Sequence, residues 1–168
     1  MEIRPYEPRN AEGLWQRKRD FELGLGAGTG GEEKASKYEG KLDADYREQW
    51  LEWVARCVEE DERSVTVAID EAADPAAPGA VVGYAFVLPE SHRFIWDAAV
   101  LNEIFVSPAD RGTGVADDLM DAATAFARDQ DLPLDRLVLD VDAENERAKA
   151  FYERYGFEHW GEMVAREL

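Results

Sequence analysis

Residues 104–116 read IFVSPADRGTGVA, an apolar strand that passes through a glycine turn into a helix. Gly112, Gly114 and Ala116 are small, so a ligand can approach the backbone closely at this turn. The first turn of a helix leaves N–H groups without intrahelical partners, and the helix dipole favours a negative charge beside them. The stretch therefore predicts a cradle for a phosphate or a pyrophosphate. Glycines at the start of a helix are also found where they only allow the turn and bind no ligand. The spacing of the glycines does not distinguish that alternative from an anion site.

Hydrophobic periodicity predicts the secondary structure around this turn. In chain order the expected elements are strand 2–6, helix 8–22, helix 41–60, strands 63–70, 80–88 and 98–106, helix 112–128, strand 136–142, helix 145–154 and two short closing strands within 157–168. The chain has 168 residues, of which 45% are hydrophobic, so it can bury one core. We expect a single mixed α/β domain over residues 1–168.

A glycine-rich stretch between residues 24 and 31 interrupts the helical periodicity. Its residues 26–31 read GAGTGG and fit the glycine pattern of dinucleotide-binding proteins. That motif acts only between a strand and the start of a helix, whereas here it follows a helix and precedes a polar run. The stretch is interpreted as a mobile loop.

The charge of the chain limits its partners. Asp and Glu number 37 against 19 Lys and Arg, which gives a net charge of −18. An even negative surface repels phosphate, so nucleic acid is not an expected ligand. Only five of the basic residues are lysine. That scarcity is similar to halophilic proteins, in which salt screens a dense negative surface; an acidic protein without salt adaptation is the alternative.

Other classes of protein are not expected either. The longest near-continuous apolar run, residues 80–88, is about half the ~18 residues of a membrane span, and residues 1–10 contain no apolar signal segment. We therefore expect a cytoplasmic protein that does not bind a membrane. The single cysteine, Cys57, lies on the apolar face of helix 41–60 and is interpreted as a core residue. With two histidines and one thiol, no metal site is expected.

Two motifs in the second half of the chain resemble the GNAT superfamily of acyl-CoA-dependent N-acyltransferases. The glycine motif of that family is Gln or Arg, two residues, Gly, one residue and Gly or Ala, and it is matched by Arg111, Gly114 and Ala116. A second motif covers the helix after the fifth strand. It is matched by Asn145, Ala148, Phe151, Tyr152, Gly156 and Phe157.

The resemblance implies a GNAT-like sheet, mixed but mostly antiparallel, flanked by helices in the order β-α-α-β-β-β-α-β-α-β-β. Strands 98–106 and 136–142 would splay apart and bind CoA between them. The CoA pyrophosphate would be held by the backbone amides of the turn, namely Arg111, Gly112, Thr113, Gly114, Val115 and Ala116. A backbone N–H from Ile104, Phe105 or Val106 would meet the thioester carbonyl. Asn145 is expected to cap its helix and to touch the pantetheine arm.

Acyl transfer from a thioester to an amine needs a neutral amine, a polarised carbonyl and a proton for the leaving thiolate. By the resemblance, Tyr152 would protonate or hydrogen-bond the sulfur, although a tyrosine in an aromatic cluster with Phe151 and Tyr155 is the alternative. Glu103 would be the base, but it could also point to solvent, because this strand often bulges in the family. His92 and Tyr84 are the other candidate bases.

The sequence thus predicts an N-acetyltransferase that moves the acetyl group of acetyl-CoA to a primary amine of a small molecule or peptide by direct attack. A non-catalytic CoA-binding or regulatory module of the same fold is one alternative, and an acidic interaction domain without a cofactor is another. The acceptor is open, because it depends on residues 9–60 and 89–97, which carry no diagnostic motif. A homodimer is compatible with the resemblance, but nothing in the sequence fixes the oligomeric state.

The charge generates one prediction. CoA is itself strongly anionic, so salt should strengthen its binding to a chain of charge −18 by screening the repulsion. The dissociation constant of CoA, measured from low to multimolar KCl, should therefore fall as salt rises. An affinity that weakens steadily with salt contradicts the expectation.

Overall fold

A computed structural model describes residues 1–28, 31–74 and 77–168. Ten helices and strands are described in these ranges, and short 3-10 turns join several of them. In chain order they are β1 (Glu2–Pro5), α1 (Ala11–Gly28), α2 (Gly31–Lys41), α3 (Ala44–Glu60), β2 (Val65–Ile69), β3 (Val81–Val87), β4 (Ala99–Val106), α4 (Val115–Arg128), β5 (Leu137–Val138) and α5 (Glu146–Arg154).

The strands form a single mixed sheet in the order β1-β2-β3-β4-β5. The first four strands pair antiparallel, and β5 is parallel to β4. Strands β4 and β5 pair only at Ala99–Leu137 and Val100–Val138, so the rest of β4 has no strand partner on that edge within the described residues. The mixed, mostly antiparallel fold and its splayed strand pair are confirmed.

Helices cover both faces of the sheet. One face packs against α1 and α3 through residues such as Leu14, Trp50 and Val54. The other face packs against α4 through Leu119, Met120 and Phe126. Strand β3 is buried along its whole length because it lies between these two layers. The continuous apolar run that predicted this strand reflects burial on both faces.

The helical region differs from the sequence prediction. Helix α1 continues through Gly28, so the loop predicted from residue 24 is wrong for residues 24–28; Thr29 and Gly30 lie outside the described residues. The polar run that follows forms helix α2. None of the described α2 side chains is buried, so this helix has no apolar face for periodicity to detect.

The end of the chain also differs. Strand β5 covers two residues of the predicted 136–142, because β4 diverges and leaves residues 139–142 without a ladder partner. Residues 157–168 are described, and they contain neither of the two closing strands that were expected. Their apolar side chains are largely exposed, as in Trp160, Met163 and Val164, so burial does not stabilise strand pairing there.

Membrane-spanning helices were sought in the described part of the chain. No helix there has both the length and the apolar composition needed to cross a bilayer.

Close packing of β3 against β4 generates a prediction at Gly83. A Cβ at this position would lie 2.7 Å from the carbonyl oxygen of Phe105 and 3.2 Å from side-chain atoms of Leu119 and Val106. Gly83→Ala should therefore lower the free energy of unfolding by about 1–3 kcal/mol. Chemical denaturation of Gly79→Ala provides the control, because a Cβ there meets nothing within 4 Å. Equal stability of the two variants would refute the packing argument.

Candidate active site

The turn between β4 and α4 has the geometry of an anion cradle. Gly112 and Gly114 adopt φ values of 77° and 95°, which side-chain-bearing residues rarely adopt. Gly114 is the N-cap of α4, and as a glycine it makes no side-chain cap hydrogen bond to the helix start. The hydroxyl of Thr113 donates to the Asp110 carbonyl at 2.6 Å, so it turns away from the helix start. The amides of the first turn of α4 are therefore left for a ligand.

Two arginines add positive charge beside this turn. The Nε of Arg111 donates to the Val106 carbonyl at 3.1 Å, and burial together with the nearby charge of Arg147 lowers the pKa of Arg111. Arg147 lies in the first turn of α5, where the helix dipole disfavours a cation. Among the described residues, no carboxylate forms a salt bridge with either guanidinium. An anion between the two arginines would relieve their repulsion.

The acidic residues near the turn are partly compensated. Asp117, in the first turn of α4, accepts a hydrogen bond from the Tyr155 hydroxyl at 2.7 Å. Arg154 forms a salt bridge with the same carboxylate at 2.8 Å. The Asp117 charge is thus directed towards α5, which lessens its repulsion of an anion at the helix start.

The open edge of β4 offers main-chain donors. Ser107 N–H donates to the Val82 carbonyl on β3. Since N–H groups alternate between the two edges of a strand, Phe105 N–H faces β3, whereas those of Ile104 and Val106 face the open edge. Of the three residues that were expected to meet a thioester carbonyl, two therefore have an N–H in position to do so.

A β-bulge decides where the Glu103 side chain points. Phe86 pairs with Glu103 and Val87 with Leu101, so Asn102 is the extra residue in β4. Regular alternation would place Glu103 on the same face as Leu101, which packs in the α4 layer. The bulge instead turns Glu103 towards α1 and buries it to 6% exposure. The solvent-facing alternative for Glu103 is therefore wrong.

Glu103 belongs to a buried chain of polar groups. Its Oε1 accepts from Lys18 Nζ at 2.5 Å, and its Oε2 accepts from the Tyr84 hydroxyl at 2.6 Å. Lys18 also binds Glu22 at 2.5 Å, and Lys41 forms a salt bridge with the other oxygen of Glu22 at 2.8 Å. We name Lys18, Glu22, Tyr84 and Glu103, together with the partly exposed Lys41, the buried polar chain.

The charges in the buried polar chain stabilise one another. Burial disfavours the charge of Lys18, but the charges of Glu103 and Glu22 outweigh it and raise the pKa of Lys18 above its ordinary value. Burial likewise opposes the charge of Glu22, and Lys18 outweighs it and lowers the pKa of Glu22. Lys18 therefore stays an ammonium ion and Glu22 a carboxylate at neutral pH.

Tyr84 and His92 are weaker candidates for the base. Burial, followed by the charge of Glu103, raises the pKa of Tyr84 well above its ordinary value, so its hydroxyl acts as a donor. His92 lies in the turn before β4 and lines a different cavity, of about 230 Å³, together with Cys57 and Glu60. Cys57 is buried, and burial raises the pKa of its thiol to about 11, in accord with its interpretation as a core residue.

Tyr152 lies on the α4 side of the sheet. Its ring is 5.7 Å from those of Phe151 and Phe157 and packs against the layer that contains Val106 and Val115. Burial raises the pKa of Tyr152 to about 12, so the hydroxyl is protonated at neutral pH. No described residue hydrogen-bonds to this hydroxyl. Tyr152 is thus part of an aromatic cluster and also has a free proton donor.

Asn145 caps helix α5, as expected. Its Oδ1 accepts from Ala148 N–H at 3.1 Å. Sequence analysis did not identify Arg147, two residues further on, as a candidate site residue. It also did not identify Lys18 and Glu22 of the buried polar chain. A signal for the latter pair existed, because Leu14, Lys18, Phe21 and Glu22 share one face of the predicted helix 8–22.

Comparison with known proteins agrees with this geometry. The sheet and the turn define an acetyltransferase fold. The model of the acetyltransferase (GNAT) family matches residues 31–157, and the chain belongs to this family.

The individual proteins that resemble the chain match only part of it or have low sequence identity. A mycothiol acetyltransferase of Salinispora tropica is 39% identical over 74 residues, which are 42% of this chain and 24% of that protein. The chain thus spans about a quarter of that relative's length. The PaiA N-acetyltransferase of Thermoplasma acidophilum, solved with coenzyme A, has a TM-score of 0.68 at 19% identity over 94% of this chain and 89% of that one. The structure of AAC(6')-Iy with a CoA-containing bisubstrate analogue has a TM-score of 0.66 at 16% identity over 99% and 97% of the two chains.

Proposed function

We propose that the chain transfers the acetyl group of acetyl-CoA to a primary amine of a small molecule or peptide, by direct attack within a ternary complex. Membership of the GNAT family supports acetyl-CoA as the cosubstrate. The observation that carries the proposal is the open edge of β4, which leads directly to the uncapped start of α4. Within the described residues, both features offer main-chain N–H groups without a strand or cap partner, and they follow one another along the chain.

The turn and its arginines would hold the CoA phosphates. The backbone amides from Arg111 to Ala116 fit this role, because the glycine conformations leave the main chain accessible and a Cβ at Gly112 or Gly114 would meet nothing within 4 Å. Arg111 and Arg147 would add charge-assisted hydrogen bonds to phosphate oxygens. Asn145 would contact the pantetheine arm from the start of α5.

The middle of β4 would position the reacting carbonyl. Acetyl-CoA supplies an acyl group that is already activated as a thioester. The N–H groups of Ile104 and Val106 face the open edge and could donate to the carbonyl oxygen, where negative charge develops during transfer. No covalent bond to the protein is needed, which agrees with the burial of Cys57.

The proposed acid and base lie on opposite faces of the sheet. Tyr152 packs on the α4 face, and its protonated hydroxyl would donate to the leaving sulfur. Glu103 lies on the α1 face and would take the proton of the attacking amine. The amine would therefore approach from the α1 side, and the thiolate would leave on the α4 side. The acetyl group would then lie between the two groups, in the gap between β4 and β5.

An acyl-transfer assay tests the proposed function. The protein is incubated with acetyl-CoA and a panel of primary amines, including polyamines, lysine and peptides, over a range of salt, and free thiol is measured. Background from Cys57 should be low, because its thiol is buried and its pKa is raised to about 11. We expect amine-dependent thiol release. Binding of acetyl-CoA without turnover on any amine would favour the non-catalytic module instead.

Substitution of Tyr152 tests the acid. Tyr152→Phe keeps the ring and removes the proton donor, so kcat should fall about 100-fold while the affinity for acetyl-CoA is unchanged. Because the pKa of Tyr152 is raised to about 12, the wild-type donor should remain protonated throughout the neutral and mildly alkaline range.

Tyr155→Phe is the matched control for this experiment. The Tyr155 hydroxyl is engaged in a hydrogen bond to Asp117 at 2.7 Å and has no proposed part in the transfer, so its loss should leave kcat unchanged. If Tyr152→Phe and Tyr155→Phe transfer acetyl groups equally fast, Tyr152 is not the acid.

A further inference from the structure

Lys18 is enclosed by groups that match its charge. Its side chain is 3% exposed, and its ammonium group lies 2.5 Å from carboxylate oxygens of both Glu22 and Glu103. The same nitrogen is 5.4 Å from the centre of the Phe21 ring and 5.3 Å from that of Trp50. Ion pairs and cation–π contacts therefore fix the position of this amine from several sides.

Burying the charges of Lys18, Glu22 and Glu103 is not expected to stabilise the fold. Removing ions from water costs several kcal/mol each, and replacing a buried ion pair by apolar residues of similar size is often neutral or stabilising. The apolar neighbours of Lys18 include Phe21 and Trp50, which would accept an apolar residue at position 18. The buried polar chain is thus better explained by what it does to Glu103 than by stability.

We propose that Lys18 is a positioning residue that holds the Glu103 carboxylate ionised and in a fixed orientation to accept the proton of the acceptor amine. This inference rests on the proposed function of Glu103 as the base. Lys18 acts only through Glu103 and does not itself touch the reacting atoms.

The hydrogen bonds of Glu103 leave room for that proton. A carboxylate offers about four acceptor positions. Lys18 at 2.5 Å and the Asn102 amide at 3.3 Å bond to Oε1, while the Tyr84 hydroxyl bonds to Oε2 at 2.6 Å. Among the described residues no fourth donor reaches the Glu103 carboxylate, so one acceptor position is left for the proton of the amine. The donors on both oxygens hold the orientation of the group.

The surroundings of Glu103 show what the loss of Lys18 would do. The titratable groups that face Glu103 or its partners come from α1, α2, α3 and β3. They are Lys18, Glu22, Lys41, Tyr46 and Tyr84. Without Lys18, Glu22 keeps the ammonium group of Lys41, whereas Glu103 keeps no cation among these groups. A buried carboxylate without a cation is costly, so the loss of Lys18 would disfavour the ionised form of the group that acts as the base.

The direct test is the pH dependence of Lys18→Met. We expect kcat/KM at pH 7 to fall about 100-fold and to recover as pH rises, so that the acidic limb of the profile moves to higher pH. The affinity for acetyl-CoA should not change, because its proposed site lies on the open edge of β4 and at the start of α4.

Two further variants make the test decisive. Lys18→Met with Glu22→Gln also removes one of the two carboxylates that pair with Lys18, so less uncompensated charge is buried than in the single variant. The double variant should fold even if the single variant does not, and its acidic limb should lie between those of Lys18→Met and the wild type. Lys37→Met makes the same change of charge at a side chain that is 61% exposed, and its profile should match the wild type.

The outcomes separate the two hypotheses. A Lys18→Met enzyme that is slower by one factor at every pH, with the acidic limb of its profile unmoved, would overturn the positioning role while leaving the proposed function intact. A wild-type protein that transfers acetyl groups to no amine would overturn the proposed function, and the positioning role with it. An unaltered profile in Lys18→Met would likewise overturn the positioning role.

Discussion

Strand β4 separates from β5 after two residue pairs, and the remaining main-chain groups on that edge face no strand in the described part of the chain. Main-chain N–H and C=O groups that lose water without gaining a partner are costly, so such an edge needs a ligand or solvent. The uncapped start of α4 continues the same surface beyond Val106. The acyl-group, phosphate and proton-transfer roles proposed above all depend on where this edge opens.

Local charge matters more than net charge in this protein. The chain carries −18 overall, yet two arginines meet at the glycine turn, and two lysines neutralise the two carboxylates of the buried polar chain. At short distance and low dielectric, such pairs outweigh the more distant, screened surface charges. An acidic surface can therefore coexist with a site for an anionic cosubstrate.

Local sequence signals account for the features that were predicted correctly. The glycine turn at 112–114 needs left-handed backbone, and the Asn145 cap needs a short polar side chain, so each can be recognised within a few residues. Helix α2 was missed because none of its described side chains is buried. The closing strands were overpredicted because Val164 and its neighbours are apolar but remain exposed. Hydrophobic periodicity predicts a helix or strand only where the apolar positions of the pattern are buried in the folded protein.

The sequence by itself determined the family, the order of most strands and helices, and the turn at the end of β4, because each depends on residue type and short-range spacing. Tertiary structure alone decided the face on which Glu103 lies and its partners, because a single extra residue at Asn102 reverses strand alternation. It also brought Lys18 to a carboxylate 85 residues away. Contacts between distant segments follow from packing, and no local pattern encodes them.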